Sequence, residues 1–141
     1  MIKFELVTLT GVKLSEAVYE VLLPTLEGQI GVLKGHMPLV SVATHGMILV
    51  RKEATTRDDM MEVFATNGGV IEVENDTLRV LVDEADHSEE ISEAEAQKAL
   101  DLAMKMKAEA KDQVSLEKAQ SLIDRQATRL QVAGLRRRNR R

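Results

Sequence analysis

Cysteine is absent from the 141 residues, which excludes disulfides, thiolate nucleophiles and cysteine-ligated zinc and fits a reducing compartment. Aromatics are nearly absent too. Phe4, Tyr19 and Phe64 are the whole set, 2% of the chain, so the core is expected to be aliphatic, built from Val, Leu, Ile, Met and Ala. Proline occurs only at Pro24 and Pro38. No run approaches the ~20 apolar residues of a membrane span. The opening MIKFELVTLTG lacks the apolar stretch and small-residue cleavage site of a secretion signal. No direct membrane insertion is expected.

Charge is plentiful and unevenly placed. Residues 1–88 carry seven basic and fourteen acidic side chains and residues 89–141 twelve and nine, giving −7 and +3, which together make the chain's −4. Such asymmetry points to two segments with different partners.

Periodicity divides the chain at the same place. From Lys3 to about Asp83, short runs of Val, Ile, Leu and Thr recur between turn residues, the pattern of a sandwich or barrel. Strands are expected at 4–10, 15–23, 30–33, 40–44, 46–52, 60–65, 69–74 and 77–82. Ile71 and Val73 face one side and Val70, Glu72 and Glu74 the other. Asn67-Gly68-Gly69 supplies residues tolerant of positive φ, Glu74-Asn75-Asp76 reads as a tight hairpin turn, and both prolines are expected in loops.

Around Asp86–Glu90 the chain turns polar and acidic, and no Gly or Pro follows until Gly134. Ser92 with Glu95 has capping-box spacing for a helix running from Glu93 to about Ala110. Residues 111–114 read as a connector, and Ser115 as the cap of a second helix with Leu116, Ala119, Ile123, Leu130 and Ala133 on its apolar face. A short connector implies an antiparallel hairpin. Alanines dominate the expected seam: Ala94, Ala96, Ala99, Ala103, Ala108 and Ala110 against Ala119, Ala127 and Ala133. At ~25 cal/mol per Å² such a seam buries little, which permits a movable arm without requiring one. The expected architecture is thus two-domain α+β. Residues 1–87 form an antiparallel β-sandwich and 88–141 an antiparallel two-helix hairpin.

No constellation for bond chemistry stands out. Gly28 to Gly35 (GQIGVLKG) lacks both the Walker spacing and the dinucleotide fingerprint and reads as a structural loop. His36, His45 and His87 are scattered without metal-ligand spacing, so no metal site is expected, and no nucleophile has a matching base. The chain ends in Arg136, Arg137, Arg138, Arg140 and Arg141. Cations suit a helix C-terminus, and basic tails are often simply solvated. The functional readings are docking on an acidic protein surface or phosphate contact with nucleic acid, the latter weakened by the acidic net charge and the lack of stacking aromatics.

The segment 23–40, LPTLEGQIGVLKGHMPLV, closely resembles the signature of the ATP synthase epsilon subunit, and FATNGG (64–69) and VLVDEA (80–85) resemble that family's later sandwich motifs. The resemblance implies a non-catalytic subunit of the central rotor, seated beside the gamma subunit and against the ring of c subunits. Glu27, Gly28, Gln29, Ile30 and Gly31, with His36 nearby, match the segment that meets the polar loops of the ring. It also implies, for bacterial members, a hairpin that detaches, extends along gamma into the catalytic head and blocks rotation chiefly in the hydrolysis direction. Arg136, Arg137, Arg138, Arg140 and Arg141 would then dock near acidic stretches of the alpha and beta subunits.

Some bacterial members bind ATP in the folded hairpin through an Ile/Leu-Asp-x-x-Arg-Ala motif and two arginines on the second helix. The matching stretch, Ile91-Ser92-Glu93-Ala94-Glu95-Ala96, puts Ser92 in place of the acid and Glu95 in place of the arginine. Arg125 and Arg129 match the second-helix pair and lie one turn apart. Half a nucleotide site is present, so ATP binding is expected to be weak or absent, with no cofactor. The alternatives are a nucleotide-sensing module and, behind it, a nucleic-acid adaptor. The lack of a targeting peptide favours a bacterial enzyme over a mitochondrial one, with a plastid-encoded protein the alternative, and the bacterial reading places the chain peripherally on the cytoplasmic face of the cell membrane.

Overall fold

The computed structural model describes residues 1–139, with side chains described as far as Leu135. Ten strands come first: β1 (Ile2–Thr8), β2 (Gly11–Val18), β3 (Glu20–Thr25), β4 (Gly28–Leu33), β5 (Leu39–Ala43), β6 (Gly46–Arg51), β7 (Glu62–Thr66), β8 (Gly69–Glu74), β9 (Thr77–Val82) and β10 (Ala85–His87). Two helices follow, α1 (Glu93–Glu109) and α2 (Gln113–Asn139), and short 3-10 turns cover Asp58–Met60 and Ser88–Glu90.

The strands follow the order β10-β7-β6-β3-β5-β8-β9-β1-β2, with β4 paired to β3. Every pairing is antiparallel except β1 with β9, which is parallel. The path bends where β3 meets β5 through Thr25 and Ala43 alone, so the sheet closes over itself as a sandwich. The core between its layers is aliphatic as the composition requires: Ile2, Phe4, Leu6, Val18, Val21, Leu23, Ile48, Ile71, Leu78 and Val80 are all sealed from solvent. Ile71 and Val73 are buried and Val70 is exposed, as alternation demands. At the Asn75-Asp76 turn both residues take φ of 50° and 56°, the left-handed pair of a type I′ hairpin. Gly69 is obligatory, because a Cβ there would stand 2.0 Å from the carbonyl oxygen of Leu81 on the adjoining strand.

The expected strand at 15–23 is two strands, and the reason is parity. Val18, Val21 and Leu23 are all buried, and positions 18 and 21 cannot face one side of an unbroken strand of period two. The chain bends at Tyr19, whose N–H donates to the Arg51 carbonyl at 2.9 Å, and the inward set restarts in β3. Pro24, expected in a loop, lies within β3 instead. It sits where β3 passes from its partner β6, at Glu20–Leu22, to β5, at Thr25. Its missing N–H therefore interrupts no ladder, while its carbonyl accepts from Thr44 N at 3.0 Å. β10, read from sequence as part of the polar change of composition, pairs with β7. Ala85 is buried beneath it, and the His87 ring meets Phe64 edge-on at 5.1 Å.

The first helix starts as expected, with Ser92 Oγ accepting from Glu95 N at 3.3 Å. The second does not start at Ser115. Asp112 is the cap: its Oδ1 accepts from Ser115 N at 2.7 Å and its carbonyl from Leu116 N at 3.1 Å. A carboxylate suits the positive end of a helix better than a hydroxyl does, so the helix begins three residues earlier, at Gln113. The backbone N–H of Ser115 holds the Asp112 carboxyl below its ordinary value.

The hairpin lies against the outer face of β6 and β7. Every residue of β7 from Val63 to Thr66 is buried, because Phe64 points into the sandwich while Val63 and Ala65 lie under the helices. There they join Ile91, Ala96, Val132 and Ala133 in a second, smaller apolar cluster. Of the expected seam alanines, Ala96, Ala103, Ala119 and Ala133 are buried, whereas Ala94, Ala108 and Ala127 are exposed.

Candidate functional site: hairpin, latch and outer strip

Residues 27–31 belong to one β-hairpin. The pairing of Thr25 with Gly28 leaves Leu26 and Glu27 as its two-residue turn. Thr25 Oγ1 donates to the Gly28 carbonyl at 2.5 Å, and Gly28 adopts φ 117°, a region that favours glycine. Leu26, at 80% exposure, tops the turn. Gln29, Ile30 and Gly31 are strand residues rather than loop. Ile30 leans on the core, and a Cβ at Gly31 would come within 3.3 Å of Leu22. His36 is not beside Glu27. It follows the far end of β4, whose six residues at about 3.3 Å each span close to 20 Å. There Gly35 N donates to Asp76 Oδ1 at 2.7 Å, tying the segment to the β8–β9 turn.

Arg125 and Arg129 are brought together on one face of α2, and each is occupied. Arg125 pairs with Glu84, and Arg129 Nη1 lies 2.6 Å from Asp86 Oδ2. Asn67 Oδ1 accepts from Glu84 N at 3.2 Å, holding the carboxylate-bearing corner. The gap between the pairs is about 10 Å³, room for one water at most. A larger open cleft beside it, about 190 Å³, presents Asp83, Glu84 and Asp86 alongside Lys13 and the two arginines, three carboxylates against three cations, so it offers a polyphosphate no excess of positive charge. The side chains of Arg136, Arg137 and Arg138 and the whole of Arg140 and Arg141 lie outside the described residues.

The described groups with displaced pKa values sit in surface ion pairs or caps. Arg79, with Lys3, holds the Glu5 carboxyl below its ordinary value. Asp58 and Glu20 raise Arg51, and Glu16 and Glu62 raise Lys52. These are cross-strand and loop-anchoring pairs, not an acid and base aimed into a cleft. Among the described residues no group of His, Asp and Glu is arranged to hold a metal ion. His45 stands at the β5–β6 turn and His87 ends β10.

One surface went unread in the sequence. Val42 pairs with Val70 and Val70 with Leu81, and all three point outward. With Val40 they are 55%, 43%, 40% and 76% exposed respectively. An outward row of aliphatics across three strands is an exposed apolar patch, the kind of surface that marks interaction sites. Its signal was present in LVSVA, residues 39–43, a strand apolar on both parities.

A family model described as ATP synthase, Delta/Epsilon chain, beta-sandwich domain matches residues 1–88, ending one residue beyond β10. The ATP synthase epsilon chain of Herpetosiphon aurantiacus is 34% identical over 136 residues, covering 96% of both chains. The chain belongs to the ATP synthase epsilon-chain family. The epsilon chain of Geobacter sp. strain M21 is 35% identical over 94% of both chains, and the chloroplastic epsilon chain of Oltmannsiellopsis viridis 36% identical over 86% of this chain and 88% of its own. In fold, the chain resembles one in the Euglena gracilis mitochondrial ATP synthase (OSCP/F1/c-ring), with a TM-score of 0.77 and 25% identity over 95% of this chain and 81% of that one. A chain of the Tetrahymena thermophila central stalk/c-ring assembly shares the fold at a TM-score of 0.61 and 13% identity, covering 93% of this chain and 95% of that one. As an epsilon chain it is a non-catalytic stalk subunit. Among the described residues no helix is long and apolar enough to cross a membrane.

Proposed function

We propose that this epsilon chain is a rotor subunit of an F-type ATP synthase that couples the gamma subunit to the c-ring and restrains ATP hydrolysis through a movable C-terminal hairpin. The β3–β4 turn, with Leu26 and Glu27 at its tip, meets the polar loops of the ring, and the outward row Val40, Val42, Val70 and Leu81 faces gamma. The subunit is peripheral, on the cytoplasmic face of a bacterial membrane. ATP is bound weakly or not at all, since Arg125 and Arg129 are taken by Glu84 and Asp86 and the first helix opens with Ser92 and Glu95.

The observation that carries the movable arm is how little holds it down. Among the described contacts, α2 rests on the sandwich through two ion pairs and a small apolar cluster in which Val132 and Ala133, with the partly buried Leu130, meet Val63 and Ala65 of β7 and the partly buried Met47 and Leu49 of β6. Alanine and valine bury small areas, so undocking costs far less than unfolding either part. Released, the arm would carry the C-terminal arginines toward acidic surfaces of the alpha and beta subunits. The test is ATP hydrolysis by the assembled enzyme with the full chain or with a chain truncated after Ile91, which keeps the Lys13–Glu90 bridge at 2.7 Å. A several-fold rise on truncation is expected. Equal rates would leave the subunit a coupling element alone.

A further inference from the structure

We infer that Arg125–Glu84 and Arg129–Asp86 form an ionic latch that sets how often the hairpin leaves the sandwich, without any bound ligand. The inference rests on the reading of the hairpin as a movable arm and names what governs it. Glu84 lies in the turn joining β9 to β10 and Asp86 two residues on, within β10, and both guanidiniums come from adjacent turns of α2. The pairs therefore tie one point of the sandwich to the middle of the long helix, at the edge of the small apolar cluster rather than inside it. Among the described residues, Lys13–Glu90 also bridges the sandwich to the segment leading into the hairpin, and it precedes α1, so it fixes the pivot and does not hold the arm.

The latch is built to open. Arg129 and Asp86 keep 20% and 29% of their side-chain surface in water, and Arg125 and Glu84 34% and 43%, so salt reaches both pairs. Each guanidinium engages through Nη, and the Nε atoms of Arg125 and Arg129 are buried with no hydrogen-bond partner. Docking thus desolvates one N–H on each arginine, a penalty that release recovers. A bidentate fork would avoid that penalty and grip harder. The geometry is that of a contact whose strength is set by ionic strength and by competition for the arginines.

Because the chain has no cysteine, a single Val63→Cys places a unique thiol on the outer face of β7, covered by the hairpin. Its rate of reaction with a disulfide reagent reads undocking in the isolated full-length chain. In that background, Arg129→Gln and Asp86→Asn are each expected to speed the reaction about three- to tenfold, and Arg125→Gln or Glu84→Gln somewhat less because that pair is wetter. The exchange Asp86→Arg with Arg129→Asp should restore protection. Raising salt from about 0.1 M to about 1 M, which shortens the Debye length from ~10 Å to ~3 Å, should speed the parent thiol and leave an Arg125→Gln/Arg129→Gln chain unchanged. A rate insensitive to both neutralisation and salt overturns the latch. If the thiol is exposed as expected while the same variants leave hydrolysis by the assembled enzyme unchanged, the latch stands and the inhibitory-arm reading fails.

Discussion

Val132 is the larger of the two α2 side chains fully buried in the docking cluster, and Val132→Ala tests the apolar half of that contact. The residue is fully buried in the cluster with Val63, Ala65 and Ala133. Removing two carbons forfeits about 1.6 kcal/mol of transfer free energy at ~0.8 kcal/mol each, plus a cavity term that depends on how far the helix settles. Alanine is the better helix former by roughly 0.5 kcal/mol, which acts in the opposite sense. The net loss is about 1–2 kcal/mol, a factor of roughly 5–30 in an equilibrium constant. Hydrogen exchange of the α2 backbone on the isolated chain should register that factor, since amides that exchange by undocking speed up together. Val114→Ala on the same helix, 75% exposed, supplies the control. It gains helix propensity, loses no packing, and should slow exchange slightly. If Val132→Ala leaves the exchange of α2 within about twofold of the parent, below the range that a buried methyl pair predicts, the cluster is not what holds the hairpin.

The remaining predictions concern the cap, the outer strip, the nucleotide and the tail. The Asp112 carboxyl is held below its ordinary value of 3.8, so its stabilisation is fully present above the unfolded value and fades as pH falls through the folded one. Circular dichroism of the parent and of Asp112→Asn should therefore differ at neutral pH, with less helix in the variant, and converge in acid. Val42→Asp with Val70→Lys should weaken assembly with gamma at least about tenfold, as charges placed in a desolvated contact do, without changing the thermal midpoint of the free chain. Pull-down by gamma at equal concentrations checks it. Calorimetric titration with ATP should show no micromolar heat. Such heat would mean that the arginines leave Glu84 and Asp86 for phosphate. Deleting residues 135–141 should raise hydrolysis by the assembled enzyme, and unchanged turnover would remove the arginine tail from the inhibitory contact.

Much of the sandwich was legible because alternation is a local signal: β8 and β9 fall where Ile71, Val73, Leu78 and Val80 demand. Where the expectation failed, a neighbour remote in sequence decided the matter. Nothing near Tyr19 announces a bend, since residues 15–23 contain neither glycine nor proline. The bend exists because Val18 and Val21 must both reach the core. Pro24 is tolerable only because its ladder changes hands there, which depends on β5 and β6. Asp112 and Ser115 are both competent caps, and charge at the helix end selects between them. Arg125 and Arg129 could be picked out by their spacing. Their partners could not, because Asp86 lies 43 residues before Arg129.

The parallel pairing of β1 with β9 fixes an order of events during synthesis. β1 has β2 on one side at once, but its other edge waits until residues 77–81 have emerged. Loop closure over that interval is slow and leaves an open edge in the meantime. The hairpin is made after the strands and helix formation is fast by comparison, so α2 arrives at a sandwich in which β1 and β9 have already met. Newly made chains would therefore pass through a state with a finished sandwich and a free arm, the same division of the molecule that release of the hairpin would later recreate.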